Sequence, residues 1–275
     1  MSAGATPVAA GPALPGSADP APPDADLARR FGGLRRLFGD AGYQQIRQAR
    51  VAVVGLGGVG SWAVEALARS GVARLVLIDL DQVSESNINR QVQALGSTVG
   101  LAKTEALRRR IADIHPGCDV WAVEEFASAD NWPGLMPAEV DVLIDACDQS
   151  AAKLVLAAWA LRSGTPLVCV GAAGGKQRAQ QVQVADLADA THDPLLAGLR
   201  QRLRKQGAPR SGPIGLTCVF SRESVAAPAM DAAAATHDSS LNCHGYGSTV
   251  TVTATFGLVA AGEALRLCRA PAAQR

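Results

Sequence analysis

The segment Arg50–Asp79 constrains this chain more than any other. It opens with Arg50-Val-Ala-Val-Val-Gly55, a short β-branched run that reads as a buried strand. The glycine loop Gly55-Leu56-Gly57-Gly58-Val59-Gly60 follows, then the helical stretch Ser61–Ser70 closed by Gly71, then a second apolar run, Arg74–Asp79. Strand, glycine loop, helix and strand in that order make a βαβ unit, and its crossover should be right-handed. Glycines permit the tight turn and let backbone N–H groups approach a phosphate, while the helix N-terminus behind them offers partial positive charge. Asp79 ends the second strand 24 residues after Gly55, where a carboxylate meets ribose hydroxyls. The unit therefore predicts a nucleotide site. On the loop alone, a nicotinamide or flavin dinucleotide is the common occupant.

The alternation continues. Leu101–Ile114 reads as a helix, Asp119–Val123 as a third strand, Asp141–Asp145 as a fourth, Ala151–Ser163 as a helix, Pro166–Gly171 as a fifth strand and Gln180–Asp186 as a sixth. This predicts an α/β fold with a doubly wound, mostly parallel, Rossmann-like sheet and a helical or irregular C-terminal part. Before it, Asp26–Gly39 and Tyr43–Gln48 read as two helices. After it come a basic helix over Pro194–Lys205, an Ala-rich stretch over Ala226–Ser240 and a closing element over Val250–Leu267. The chain divides into a disordered tail, 1–26, and a single domain, 27–268. Its nucleotide-binding core is 27–186, and its substrate and dimer elements are 187–268.

The residues after Asp79 separate ATP from NAD. They read Leu80-Asp81-Gln-Val-Ser-Glu-Ser-Asn87-Ile-Asn89-Arg90-Gln91. A dehydrogenase needs an apolar nicotinamide pocket and has no use for this Asn/Arg cluster. A triphosphate does need cations and amide donors, because adenylation develops charge on the α-phosphate. Arg90 can contact a phosphate in bidentate fashion, and Lys103, at a helix start, can reach the same group as a point charge. Asp145 ends the fourth strand at the edge where open α/β sheets bind ligands, and is the candidate for holding Mg²⁺ beside the phosphates.

With those residues in view, the chain resembles the ubiquitin-activating-enzyme superfamily, in its GLGGVG loop, IDLD, NINRQ, the lysine of GLAKTE and the aspartates of DACD. RFGGLRRLFG, GVGSWAVEALARSGV, VQALGSTVGLAK and VFSRE extend the likeness to its tRNA threonylcarbamoyladenosine dehydratase branch, from Arg29 to Arg266. The resemblance implies ATP-dependent cyclisation of threonylcarbamoyladenosine beside the tRNA anticodon, through an acyl-adenylate. It assigns Gly55, Gly57, Gly58 and Gly60 to the phosphate loop, Asp79 and Asp81 to the acid pair, and Asn87, Arg90 and Gln91 to the polar cluster. Lys103 becomes the phosphate lysine and Asp145 the aspartate near the metal. An arginine from the partner's N-terminal helix would reach ATP, with Arg36 the first candidate and Arg30 the second, which implies a homodimer. A cysteine desulfurase or sulfur-acceptor system is a further implied partner. The alternative activity in the superfamily is adenylation of a ubiquitin-like sulfur-carrier protein.

Composition narrows the partners. With 26 basic and 25 acidic residues the formal net charge is +1, so contact with tRNA must come from a local patch. Leu199–Arg210, with Arg200, Arg202, Arg204, Lys205 and Arg210 and no acid, is the candidate. The six cysteines, Cys118, Cys147, Cys169, Cys218, Cys243 and Cys268, contain no CxxC pair, which argues against structural zinc and for free thiols in a reducing cytoplasm. Cys243 beside His244 is a lesser nucleophile candidate. The uncharged stretch Gly245–Gly262 reads as a buried element, with peripheral membrane or dimer contact as the other reading.

Overall fold

A computed structural model of the chain describes residues 26–136, 139–226 and 246–270. The expected N-terminal tail, all but the first residue of the Ala-rich stretch, and Cys243 with His244 lie outside the described residues. The helices are α1 (Leu27–Gln48), α2 (Gly60–Arg69), α3 (Lys103–Ile114), α4 (Ser150–Ser163), α5 (Pro194–Lys205) and α6 (Val250–Arg269). The strands are β1 (Arg50–Val54), β2 (Arg74–Ile78), β3 (Asp119–Val123), β4 (Val142–Asp145), β5 (Leu167–Val170), β6 (Val182–Asp186) and β7 (Thr217–Ser221).

The strands form one sheet in the order β3-β2-β1-β4-β5-β7-β6. Every pairing is parallel except β6 with β7. The central strands β1, β2, β4 and β5 are buried along almost their whole length, as their continuous Val, Leu and Ile runs require of strands covered on both faces. β3 is the exposed edge. There Trp121 is half covered by the Arg74 guanidinium, 5.5 Å from its ring, and donates its indole N–H to Asp119.

Two expectations for the chain ends hold, and one strand is new. The two expected N-terminal helices follow one another within α1, and the break between them falls at Gly39, whose φ of 70° and ψ of 176° only glycine adopts without strain. β7, not anticipated as a strand, inserts between β5 and β6 and makes β6 antiparallel to its neighbour. The uncharged C-terminal stretch is α6, a core helix. It is long and apolar enough by composition to cross a membrane, but Val252, Phe256, Ala260, Ala261 and Ala264 are buried against the rest of the chain.

The seat of α6 matters for the site. A Cβ on Gly257 would collide with the carbonyl oxygen of Val59 and lie 2.8 Å from Trp62 Cβ and 2.9 Å from the backbone nitrogen of Ala63. α6 thus presses backbone to backbone on the first turn of α2, the helix that the glycine loop feeds. Substituting Gly257→Ala must push the two helices apart, at a cost of about 1–3 kcal/mol. The expected outcome is a lower Tm together with a raised KM for ATP. An unchanged Tm would show that the contact yields without cost.

Candidate nucleotide site

The strand order puts β1 and β4 side by side, with the chain continuing in opposite directions from them. A crevice therefore opens beyond their carboxyl ends. The glycine loop leaves β1 and the turn Asp145-Ala-Cys-Asp148 leaves β4 at that point. Ala146 N–H donates to Val54 O at 2.8 Å. Gly55 has φ +86°, and a Cβ there would lie 2.8 Å from the backbone nitrogen of Cys147 and 2.9 Å from the carbonyl of Ala146. A Cβ on Gly60 would overlap the Gly55 carbonyl oxygen, and one on Gly58 would press on Arg90 Cγ and Thr253 Cβ at 3.2 and 3.3 Å. Gly57 alone of the four has nothing within 4 Å. Three of these glycines serve close packing of the loop, and the fourth leaves its face open to a ligand.

Asp79, Asp81 and Lys103 converge beside the loop. Asp79 is buried. Its Oδ2 accepts Leu56 N–H at 2.6 Å and its Oδ1 accepts Asp81 N–H at 2.8 Å, so the carboxylate clamps the glycine loop to the end of β2. Burial raises its pKa, against the opposing pull of Lys103 and those two N–H donors. Lys103 Nζ donates to Asp81 Oδ2 at 2.7 Å and lies 3.8 Å from Asp79 Oδ1. The phosphate-lysine candidate is thus seated between the two acids.

The polar cluster is internally wired. Asn87 Oδ1 accepts Ser84 N–H and closes a short turn over Glu85–Asn87. Gln91 Oε1 accepts from Gln93 Nε2, which also donates to Leu56 O at 3.0 Å and so ties the cluster to the glycine loop. Arg90 is buried, lies over Gly58 and donates to Ser86 O at 2.6 Å and Asn89 Oδ1 at 2.9 Å. Asn87 and Gln91 therefore shape the loop, while Arg90 brings the charge over it. Gln93 escaped the sequence reading, although it stands two residues beyond Gln91 in the same polar run.

Asp145 differs most from expectation. It is fully buried. Its Oδ2 accepts Lys153 Nζ at 2.8 Å, and its Oδ1 accepts the Cys147 backbone N–H at 3.2 Å and the thiol at 2.8 Å. The expectation of Mg²⁺ on Asp145 is corrected accordingly, since both oxygens already serve protein donors and neither faces solvent. Asp148, three residues on, is the exposed carboxylate of the same turn. Among the described residues no group of three His, Cys, Asp or Glu side chains is arranged to hold a metal.

Lys153, also missed from sequence, is buried completely and donates a second hydrogen bond to Val170 O at 2.9 Å, joining the ends of β4 and β5. Burial opposes its charge, but Asp145 and the nearby thiols of Cys169 and Cys147 more than offset this and raise its pKa. Burial and then Asp145 push the Cys147 thiol up. A signal for Lys153 existed: a lone lysine in the first turns of an otherwise apolar helix, SAAKLVLAAWALRS.

Arg36 and Arg30 sit at the opposite edge of the sheet. Along α1, Phe31 packs on His115, just before β3, and Arg47 donates to Gly71 O, just before β2. Arg30 donates to the carbonyls of Asp113 and Ile114 at 2.7 and 2.6 Å and caps α3. Arg36 is exposed and has no hydrogen bond or ion pair among the described residues.

These elements define a Rossmann-like nucleotide-binding domain with its phosphate loop at the switch point. The chain belongs to the ThiF family, which it matches over residues 31–274. It is 43% identical over 257 residues to the tRNA threonylcarbamoyladenosine dehydratase of Escherichia coli, covering 90% of this chain and 96% of that one. The enzyme of the same name from Haemophilus influenzae is 39% identical over 86% of this chain and 92% of its own. The crystal structure of the Escherichia coli dehydratase in complex with ATP superposes with a TM-score of 0.81 at 42% identity, covering 91% of this chain and 98% of that one.

Lys153→Met would leave Asp145 as a buried, unpaired charge. The expected loss is about 3–5 kcal/mol in denaturant unfolding. Asp145→Asn with Lys153→Met removes both charges and should recover most of it. A double variant no more stable than the single one would contradict the pairing.

Proposed function

We propose that this protein uses ATP to cyclise threonylcarbamoyladenosine beside the tRNA anticodon, with net loss of one water, as a cytoplasmic homodimer. The observation that carries this reading is that Asp79 clamps a glycine loop seated on the Asp145–Asp148 turn, in a chain similar over 90% of its length to a dehydratase of that name. The core 27–186 supplies the nucleotide half, and 187–268 the substrate- and partner-facing elements.

The substrate carboxylate attacks the α-phosphorus of ATP, a bond to pyrophosphate breaks, and an acyl-adenylate forms. The carbamoyl nitrogen of the same side chain then attacks the acyl carbon. It loses its proton, and AMP leaves with the former carboxylate oxygen. Both steps are intramolecular or substrate-borne, so no enzyme nucleophile is required. The open face at Gly57 and the N–H groups opening α2 meet the phosphates. Asp79 accepts ribose hydroxyls. Arg90 and Lys103 supply the positive charge that the developing α-phosphate charge requires. A divalent cation entering with the triphosphate would be held at Asp148 rather than Asp145, and would neutralise charge on the phosphates. Arg36, on α1 at the opposite edge of the sheet, completes the partner's site.

Incubating the protein and ATP with tRNA carrying threonylcarbamoyladenosine should lower the nucleoside mass by one water, read by mass spectrometry after digestion. An unchanged nucleoside, or adenylation of a carrier protein instead, would overturn the reading. The shared site has its own test. Arg36→Ala and Arg90→Ala proteins should each be inactive, and mixing and reassociating them should restore roughly a quarter of wild-type activity, because half the dimers are mixed and each holds one intact site. If Arg36 acted within its own subunit, mixing would restore nothing.

A further inference from the structure

The basic helix α5 has a defined place relative to the nucleotide edge. At its start, the N-cap Asp193 accepts the Ala172 N–H, just beyond the carboxyl end of β5, at 2.8 Å. Near its end, Arg202 donates to Ser150 O at 3.2 Å, just beyond the carboxyl end of β4 and two residues from Asp148. α5 is therefore tied at two points to the chain segments that leave the ligand edge of the sheet. Its apolar side, Leu196, Leu199 and Leu203, is buried in the core.

The other side is strongly cationic. From Pro194 to Arg222 the chain carries six basic residues and no Asp or Glu, in a protein whose net charge is only +1. Arg200 is committed to the chain, donating to the carbonyls of Leu187 and Ala190. Arg202, Lys205 and Arg210 are exposed, and Arg204, Lys205 and Arg210 line an open groove along the helix. Among the described residues none of these four has a carboxylate within ion-pair distance, in contrast to Arg108 and Arg109 on α3, which pair with Glu105. A row of unneutralised cations beside an active-site mouth suits a polyanion whose reacting group must enter that mouth.

We infer that the exposed face of α5 and the turn to Arg210 form the docking surface for the tRNA phosphate backbone, positioning the modified adenosine at the Asp148 edge of the nucleotide crevice. The inference rests on the tRNA-modifying reading above. Phosphate contacts fix register without reading sequence, so this surface sets affinity and orientation while the crevice selects the modified base.

The test compares wild type with the variant Arg204→Gln, Lys205→Gln, Arg210→Gln. Binding of the modified tRNA is titrated at several salt concentrations without ATP, and turnover is measured separately. Each phosphate contact contributes roughly 0.7–0.9 to the slope of log affinity on log salt. The variant should lose about two units of slope, raise KM for tRNA about tenfold or more, and keep wild-type Tm and ATP affinity. An unchanged slope and KM would overturn the proposal. So would an equal loss in the control Arg108→Gln, Arg109→Gln, which would make the effect one of overall charge. Failure of the functional reading shows differently, as a wild-type protein that leaves the tRNA mass unchanged, and the binding slope is read independently of turnover.

Discussion

The site depends on one backbone contact: the glycine loop lies flat on the turn that follows β4. Gly55 leaves no room for a Cβ over Ala146 and Cys147, and Gly60 leaves none over Gly55 itself. Asp79 then fixes the loop from the other side by accepting Leu56 N–H. A loop held on both sides presents the amides at the start of α2 to a phosphate without first having to order itself, which is what electrostatic preorganisation requires. α6 completes the arrangement from behind through Gly257.

Beneath this contact lies a buried ion pair. Lys153 and Asp145 are fully buried, and each is satisfied by further hydrogen bonds, to Val170 O in one case and to Cys147 in the other. Such a pair need not add net stability, but removing one partner is expensive. Its effect is geometric, since it fixes where β4 ends and how the next turn leaves it. Asp148 is left at the surface of that turn.

The two ends of the sheet divide the work. The carboxyl edge gathers the glycine loop, Asp79, Lys103, Arg90 and the Asp145–Asp148 turn, and α5 is anchored beside it. α1 occupies the opposite edge, where Arg30 caps α3 and Arg36 has no hydrogen bond or ion pair among the described residues.

Sequence by itself determined the βαβ unit, the strands β1 to β6 and α5 to the residue, and singled out the glycine loop, Asp79, Arg90 and Lys103 as candidates. All of these rest on local periodicity or on fixed spacing along the chain. Only the tertiary structure decided the rest. β7 is five residues without a clear period, and it becomes a strand because β5 and β6 flank it. α6 reads as a buried element from its uncharged run, and only packing on α2 shows which of its faces is covered. Asp145 and Asp148 are equivalent as letters, and burial under the turn pairs the first with Lys153 while leaving the second in solvent. Which carboxylate lies below and which above is a property of packing between segments distant in sequence, and no spacing along the chain encodes it.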